Sequence, residues 1–197
     1  AGGAYGGSGV RAGSGGGRGL TPAGSLPEAG GERRQVTVVF CDLVDSTGLS
    51  ERLDPEDLRE LLDTYLGLCS GVIEALGGGV VDQAGDGIVA QFGFPATQED
   101  AAAMAVRAAL DIPRALASLR ARFAAEFGET IAVRVGLSTG VVVVGEAGSG
   151  RLRQAGSPVG ETLNLAARLQ ALAAPDTVVL GEATERLIRG RFELRPL

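Results

Sequence analysis

The chain has 197 residues, 45% of them hydrophobic, and a formal net charge of −6. That is enough apolar material for one core of moderate size, while the acidic balance, 4% aromatic content and absence of any basic run exclude a nucleic-acid surface, which needs clustered cations against phosphate. All 18 basic residues are Arg and there is no His, so a His-based triad and a Lys-bearing phosphate loop are excluded, and any general base must be a carboxylate, a water or the substrate.

Residues 1–31 are mostly Gly, Ser, Ala and Pro, too poor in apolar surface to offset their ordering entropy, and read as a flexible linker. The segment 32–197 reads as the folded domain, one piece of a longer protein with other domains attached. No apolar run approaches the roughly 20 residues that span a bilayer, and no signal-peptide pattern opens the chain, so a cytoplasmic location is expected for this piece.

The β-branched run from Val36 to Asp42 predicts a buried strand that ends on a carboxylate and passes into a short polar turn, Leu43-Val44-Asp45-Ser46-Thr47. Asp54-Pro55-Glu56 then supplies an N-cap, a proline at the first helical position and an acidic first turn. Leu58, Leu61, Leu62, Tyr65, Leu66, Cys69, Val72 and Ile73 follow at helical spacing, and Gly77-Gly78-Gly79 ends the helix. Val80 to Phe92 predicts two short strands around a tight Ala84-Gly85-Asp86-Gly87 turn with Asp86 at its tip.

A long Ala-rich helix is expected from about Gln98 to Phe127, broken or kinked near Ile112 by Pro113. Ile131–Gly140 and Val141–Gly145 read as a strand pair joined at Thr139-Gly140. Glu161 to Ala173 is a predicted helix, Thr177 to Leu180 a strand, Glu182 to Ile188 a short helix, and Arg191 to Leu194 the start of a last strand. Strands alternating with helices and hairpins predict an α+β fold, a ferredoxin-like βαββαβ core extended by further strands and helices, its mixed or antiparallel sheet backed by helices on one face. Cys41 and Cys69 match neither a metal spacing nor a disulfide framework and read as reduced, buried thiols.

Two carboxylates, Asp42 and Asp86, arrive at strand ends. An Asp in a tight turn is more often a turn-former than a ligand, but a charge ending an apolar strand is costly unless paired or metal-bound. Magnesium suits such a pair, since it takes one or two carboxylates and leaves the rest of its shell to water and phosphate oxygens. The turn Leu43 to Thr47 offers backbone N–H groups of the kind that hold a triphosphate. Asn164 and Arg168 stand four apart on a predicted helix and can reach one ligand.

Taken in order, Phe40-Cys41-Asp42-Leu43-Val44-Asp45-Ser46-Thr47, Gly85-Asp86, Val135-Gly136-Leu137-Ser138-Thr139-Gly140 with Val144-Gly145, and Gly160-Glu161-Thr162-Leu163-Asn164-Leu165-Ala166-Ala167-Arg168-Leu169 resemble the catalytic domain of class III nucleotidyl (adenylate and guanylate) cyclases. The resemblance runs from about Arg34 to the C-terminus and implies a homodimer with active sites built across the subunit interface. It implies that Asp42 and Asp86 hold two Mg²⁺ or Mn²⁺ ions and that Asn164 and Arg168 come from the partner subunit to orient the ribose and stabilise charge at the α-phosphate. The product would be a 3′,5′-cyclic nucleotide and pyrophosphate for second-messenger signalling, made without a protein base.

Two positions depart from the adenylyl pattern. Where that pattern has Lys and then Asp or Thr to read the base, this chain has Asp82 and Ser157, closer to the Glu and Cys of guanylyl members. A carboxylate at position 82 would accept from guanine N1–H and N2–H₂ but would face the bare N1 of adenine. The family base rate points to ATP, which is placed narrowly ahead of GTP. The Lys that in many members touches the triphosphate near the end of the fold has no counterpart before Leu197. A catalytically silent cyclase-like regulatory domain is the rival class, and an RNA-binding ferredoxin-like module is disfavoured by acidic charge and scarce aromatics.

Overall fold

The computed structural model describes residues 32–144 and 160–197, and the expected linker at 1–31 lies outside the described residues. The chain runs β1 (Glu32–Leu43), α1 (Ser46–Arg52), α2 (Pro55–Ala75), β2 (Gly79–Ala84), β3 (Gly87–Phe92), α3 (Ala101–Ala115), α4 (Ala117–Phe127), β4 (Val133–Val144), α5 (Glu161–Leu172), β5 (Thr177–Leu180) and α6 (Glu182–Ile188). The strands form one sheet in the order β2-β3-β1-β4-β5. Its first four strands pair antiparallel in the ferredoxin-like arrangement, and β5 joins β4 in parallel after the α5 crossover. The expected α+β class holds.

β1 lies in the middle of the sheet and is buried on both faces. Val39, Cys41 and Leu43 point into the larger core with α2, α3 and α4, whereas Val36 and Val38 pack on the other side with Val142, Val144 and Ala166 of α5. The helices therefore do not all back one face: α5 lies opposite α2 and α3. The reason is written in β4. A Cβ on Gly136 would stand 2.2 Å from Gln170 N and 2.3 Å from Ala166 O, and one on Gly140 would stand 2.4 Å from Thr162 Oγ1, so the two glycines let α5 rest directly on the strand. The same fact corrects the expected turn at Thr139-Gly140, through which β4 runs unbroken from Val133 to Val144, paired along its whole length with β1.

The local signals in α2 behave as expected. Asp54 accepts a hydrogen bond from Glu56 N, Pro55 opens the helix, and Leu61, Tyr65, Cys69 and Ile73 form its buried stripe. Cys41 and Cys69 are free and buried. Pro113 sits inside α3, and the break falls at Leu116 rather than near Ile112. Both Ile112 and Leu116 are fully buried, so packing holds the helix together through the proline and for one further turn. Residues 191–194 form no strand; Arg191 Nη1 instead pairs with Asp100 Oδ1 at 2.5 Å, fixing the segment after α6 to the start of α3.

Candidate active site

Asp42 is the next-to-last residue of β1, and Asp86 occupies the two-residue loop between Ala84 and Gly87, whose first member, Gly85, takes φ 63°. The register of β1 against β3 and β4 brings this loop to the end of β1, so the two carboxylates meet within hydrogen-bonding reach. Burial first, and then the adjacent Asp86, push the Asp42 carboxyl up to about 7, against the pull of Arg134. Burial acts on Asp86 in the same sense, but hydrogen bonds from Asp42, from Ser46 and from the backbone at Asp86 and Leu43 outweigh it and hold that carboxylate low. Two acids this close cannot both ionise freely, so in the metal-free protein the pair shares one proton towards neutrality.

Asp86 Oδ2 is buried and accepts no hydrogen bond. Two facing carboxylates, one of them with an oxygen that has no donor, suit a hard cation bound by carboxylate oxygen. Among the described residues no group of three or more acidic, Cys or His side chains could hold a metal, and magnesium is usually held by one or two carboxylates with water and phosphate oxygens completing its shell.

The turn after Asp42 differs in part from expectation. Val44 N–H is used in a 2.9 Å bond to Ala132 O and so is not available to a phosphate, and Leu43 N–H draws both carboxyls down. Asp45 is the N-cap of α1, a helix not foreseen in the sequence, and sits in the left-handed region at φ 57°, ψ 37°. Ser46 lies beside Asp86 and lowers its carboxyl, while the amides of Ser46 and Thr47, in the first turn of α1, have no acceptor within the helix.

One residue at the site escaped the sequence reading. Arg134 lies directly opposite Asp42 in the β1–β4 register, with Nη2 3.9 Å from Asp42 Oδ2 and with Nε buried and without a partner. Only the register of two strands some 90 residues apart places it there, and Val-Arg-Val in a strand carries no signal of its own.

Asp82 was expected to read the base, and the sheet puts it on the site side. A bulge between Val80 and Asp82 leaves Asp82 opposite Val89, which lies opposite Phe40, two residues before Asp42 on β1. Successive alternate residues share a face, so Asp82, Val89, Phe40 and Asp42 line one side of the sheet. Ser157 lies outside the described residues. Asn164 and Arg168 are exposed on α5, and neither makes a hydrogen bond or ion pair among the described residues.

The family model described as the adenylate and guanylate cyclase catalytic domain matches residues 30–196. This chain belongs to that family. An uncharacterized Rhizobium meliloti protein, R02095, is 40% identical over 173 residues, which is 86% of this chain and 16% of that protein. Adenylate cyclase 1 of the same organism is 30% identical over 140 residues, 71% of this chain and 21% of that protein. The crystal structure of the guanylyl cyclase Cya2 superposes with a TM-score of 0.79 at 30% identity, covering 85% of this chain and 84% of that one. The cyclase domain in hand thus spans about a fifth or less of these two curated relatives. No helix among its described residues is long and apolar enough to cross a membrane.

Proposed function

We propose that this cyclase domain converts a nucleoside triphosphate, ATP narrowly ahead of GTP, to its 3′,5′-cyclic nucleotide and pyrophosphate as a homodimer. The observation that carries the reading is the Asp42–Asp86 pair, with its buried and unpartnered Asp86 oxygen. Asp42 and Asp86 would hold Mg²⁺ or Mn²⁺, two ions per site, and the ions would supply activation of the ribose 3′-hydroxyl and neutralisation of the triphosphate. Arg134 stands beside Asp42 with free donor capacity suited to a phosphate oxygen, and the first-turn amides of Ser46 and Thr47 would be further donors to it.

Asn164 and Arg168 support the dimer. They are exposed without a partner in their own described chain, beside Leu165 and Leu172, which are 42% and 66% exposed. In a two-fold dimer their roles would be to position the ribose and to stabilise charge developing at the α-phosphate of the site opposite.

GTP remains the second reading because Asp82 shares the site face. The test is incubation of the purified chain with each nucleotide and Mn²⁺, measuring cyclic product and pyrophosphate, in the wild type and in Asp82→Lys. Product from ATP with a kcat/KM ratio that moves further towards ATP in Asp82→Lys fits the proposal. An unchanged ratio removes Asp82 from base recognition, and no cyclic product from either nucleotide favours a silent, regulatory domain.

A further inference from the structure

Only two non-glycine residues with positive φ occur among the described residues, Asp45 at 57° and Asp176 at 59°. Such a backbone is disfavoured for any L-residue with a Cβ, and Asp tolerates it better than most when its carboxylate is held locally. Both are held by arginine. Asp176 accepts from Arg120 and from Val133 N, and Asp45 Oδ2 lies 3.3 Å from Arg52 Nη2 at the far end of α1. Arg52 Nε in turn donates to Glu129 Oε1 at 2.8 Å, which anchors the guanidinium to the segment just after α4.

Gly48 is part of the same arrangement. A Cβ there would lie 2.4 Å and 2.5 Å from the Asp45 carboxylate oxygens and 2.7 Å from Arg52 Nη1, so the ion pair closes over the space a side chain would fill. Asp45 makes no side-chain capping bond to its helix, so its carboxylate is committed to Arg52 instead. The residue that follows it, Ser46, lies beside Asp86 and helps to hold that carboxylate low. The backbone turn at Asp45 sets where residue 46 leaves β1 and enters α1.

We propose that Arg52, braced by Glu129, is a positioning residue that holds Asp45 in its left-handed turn and thereby keeps Ser46 in place beside Asp86. Arg52 touches neither carboxylate of the site; it acts through residue 45. Its connection to catalysis rests on the cyclase reading, whereas its hold on the turn does not. Glycine takes a left-handed conformation without a Cβ penalty, so a glycine at position 45 makes the clamp unnecessary.

The experiment compares wild type, Arg52→Ala, Glu129→Gln, Asp45→Gly and the double variant Asp45→Gly/Arg52→Ala. Amide hydrogen exchange over residues 43–49 is followed without metal, and Mn²⁺ binding and cyclisation of Mn²⁺·ATP are followed separately. Arg52→Ala is expected to speed exchange in that segment and to raise KM for Mn²⁺·ATP by about three- to fivefold with kcat little changed, the upper end for an exposed ion pair. Glu129→Gln should do the same more weakly, and the double variant should exchange like Asp45→Gly alone. Exchange unaltered by Arg52→Ala, or a double variant as labile as Arg52→Ala, overturns the proposal. If the wild type binds no Mn²⁺ and forms no product, the cyclase reading fails while the exchange comparison still decides the role of Arg52.

Discussion

Gly136→Ala tests the contact on which the placement of Asn164 and Arg168 depends. The new Cβ would stand 2.2 Å from Gln170 N and 2.3 Å from Ala166 O, both backbone atoms of α5 that no rotamer change can move. Carbon needs about 3.5 Å, so the helix must retreat from β4 by ~1 Å, and a gap of that size forfeits about a quarter to a half of each van der Waals contact along the seam. Overpacking of this kind costs about 1–3 kcal/mol, or roughly 2–12 °C in Tm for a chain of this length. If Asn164 and Arg168 on α5 act on the substrate as proposed, a shift of ~1 Å should lower kcat by about 10²-fold. Thermal melts and product assays on three variants give the check. Gly136→Ala should lose most; Gly140→Ala should lose less, because the Thr162 side chain it meets at 2.4 Å can turn; Gly79→Ala, with nothing within 4 Å, should melt like the wild type. A Gly136→Ala protein that melts and turns over like the Gly79→Ala control refutes the reasoning.

Three further outcomes are expected. A metal that replaces the proton shared by Asp42 and Asp86 should release it, so Mn²⁺ binding should weaken as pH falls below about 7, with proton release visible in buffers of different ionisation enthalpy; pH-independent binding would place the metal elsewhere. In the metal-free protein a carboxyl raised from 3.8 to about 7 favours the folded state least above about 7 and progressively more as pH falls towards 3.8. Asp42→Asn should remove that slope, raise metal-free stability near neutral pH by about 0.5–2 kcal/mol and abolish cyclisation, and an Asn variant less stable than wild type at pH 8 would contradict this account of the pair. Mixing inactive Asp42→Ala and Arg168→Ala proteins should restore part of the activity through one complete site per heterodimer; no recovery despite proven subunit exchange would argue for a site within one chain.

The elements with self-contained chemistry were legible in the sequence: the buried run of β1, the Asp54-Pro55 start of α2 and the glycines after it, and the hairpin with Asp86 at its tip. Each of these is decided within a few residues by burial pattern, capping or turn geometry. The four motifs in order also sufficed to point to the family. The tertiary structure alone decided what the glycines of β4 are for, because a glycine that admits a crossing helix looks in sequence like one that makes a turn; Gly136 and Gly140 are explained only once Ala166, Gln170 and Thr162 lie against them. It alone set Arg134 beside Asp42 and turned Asp82 to the site face, since register and a bulge fix which side chains share a face, and both are properties of paired strands rather than of either strand.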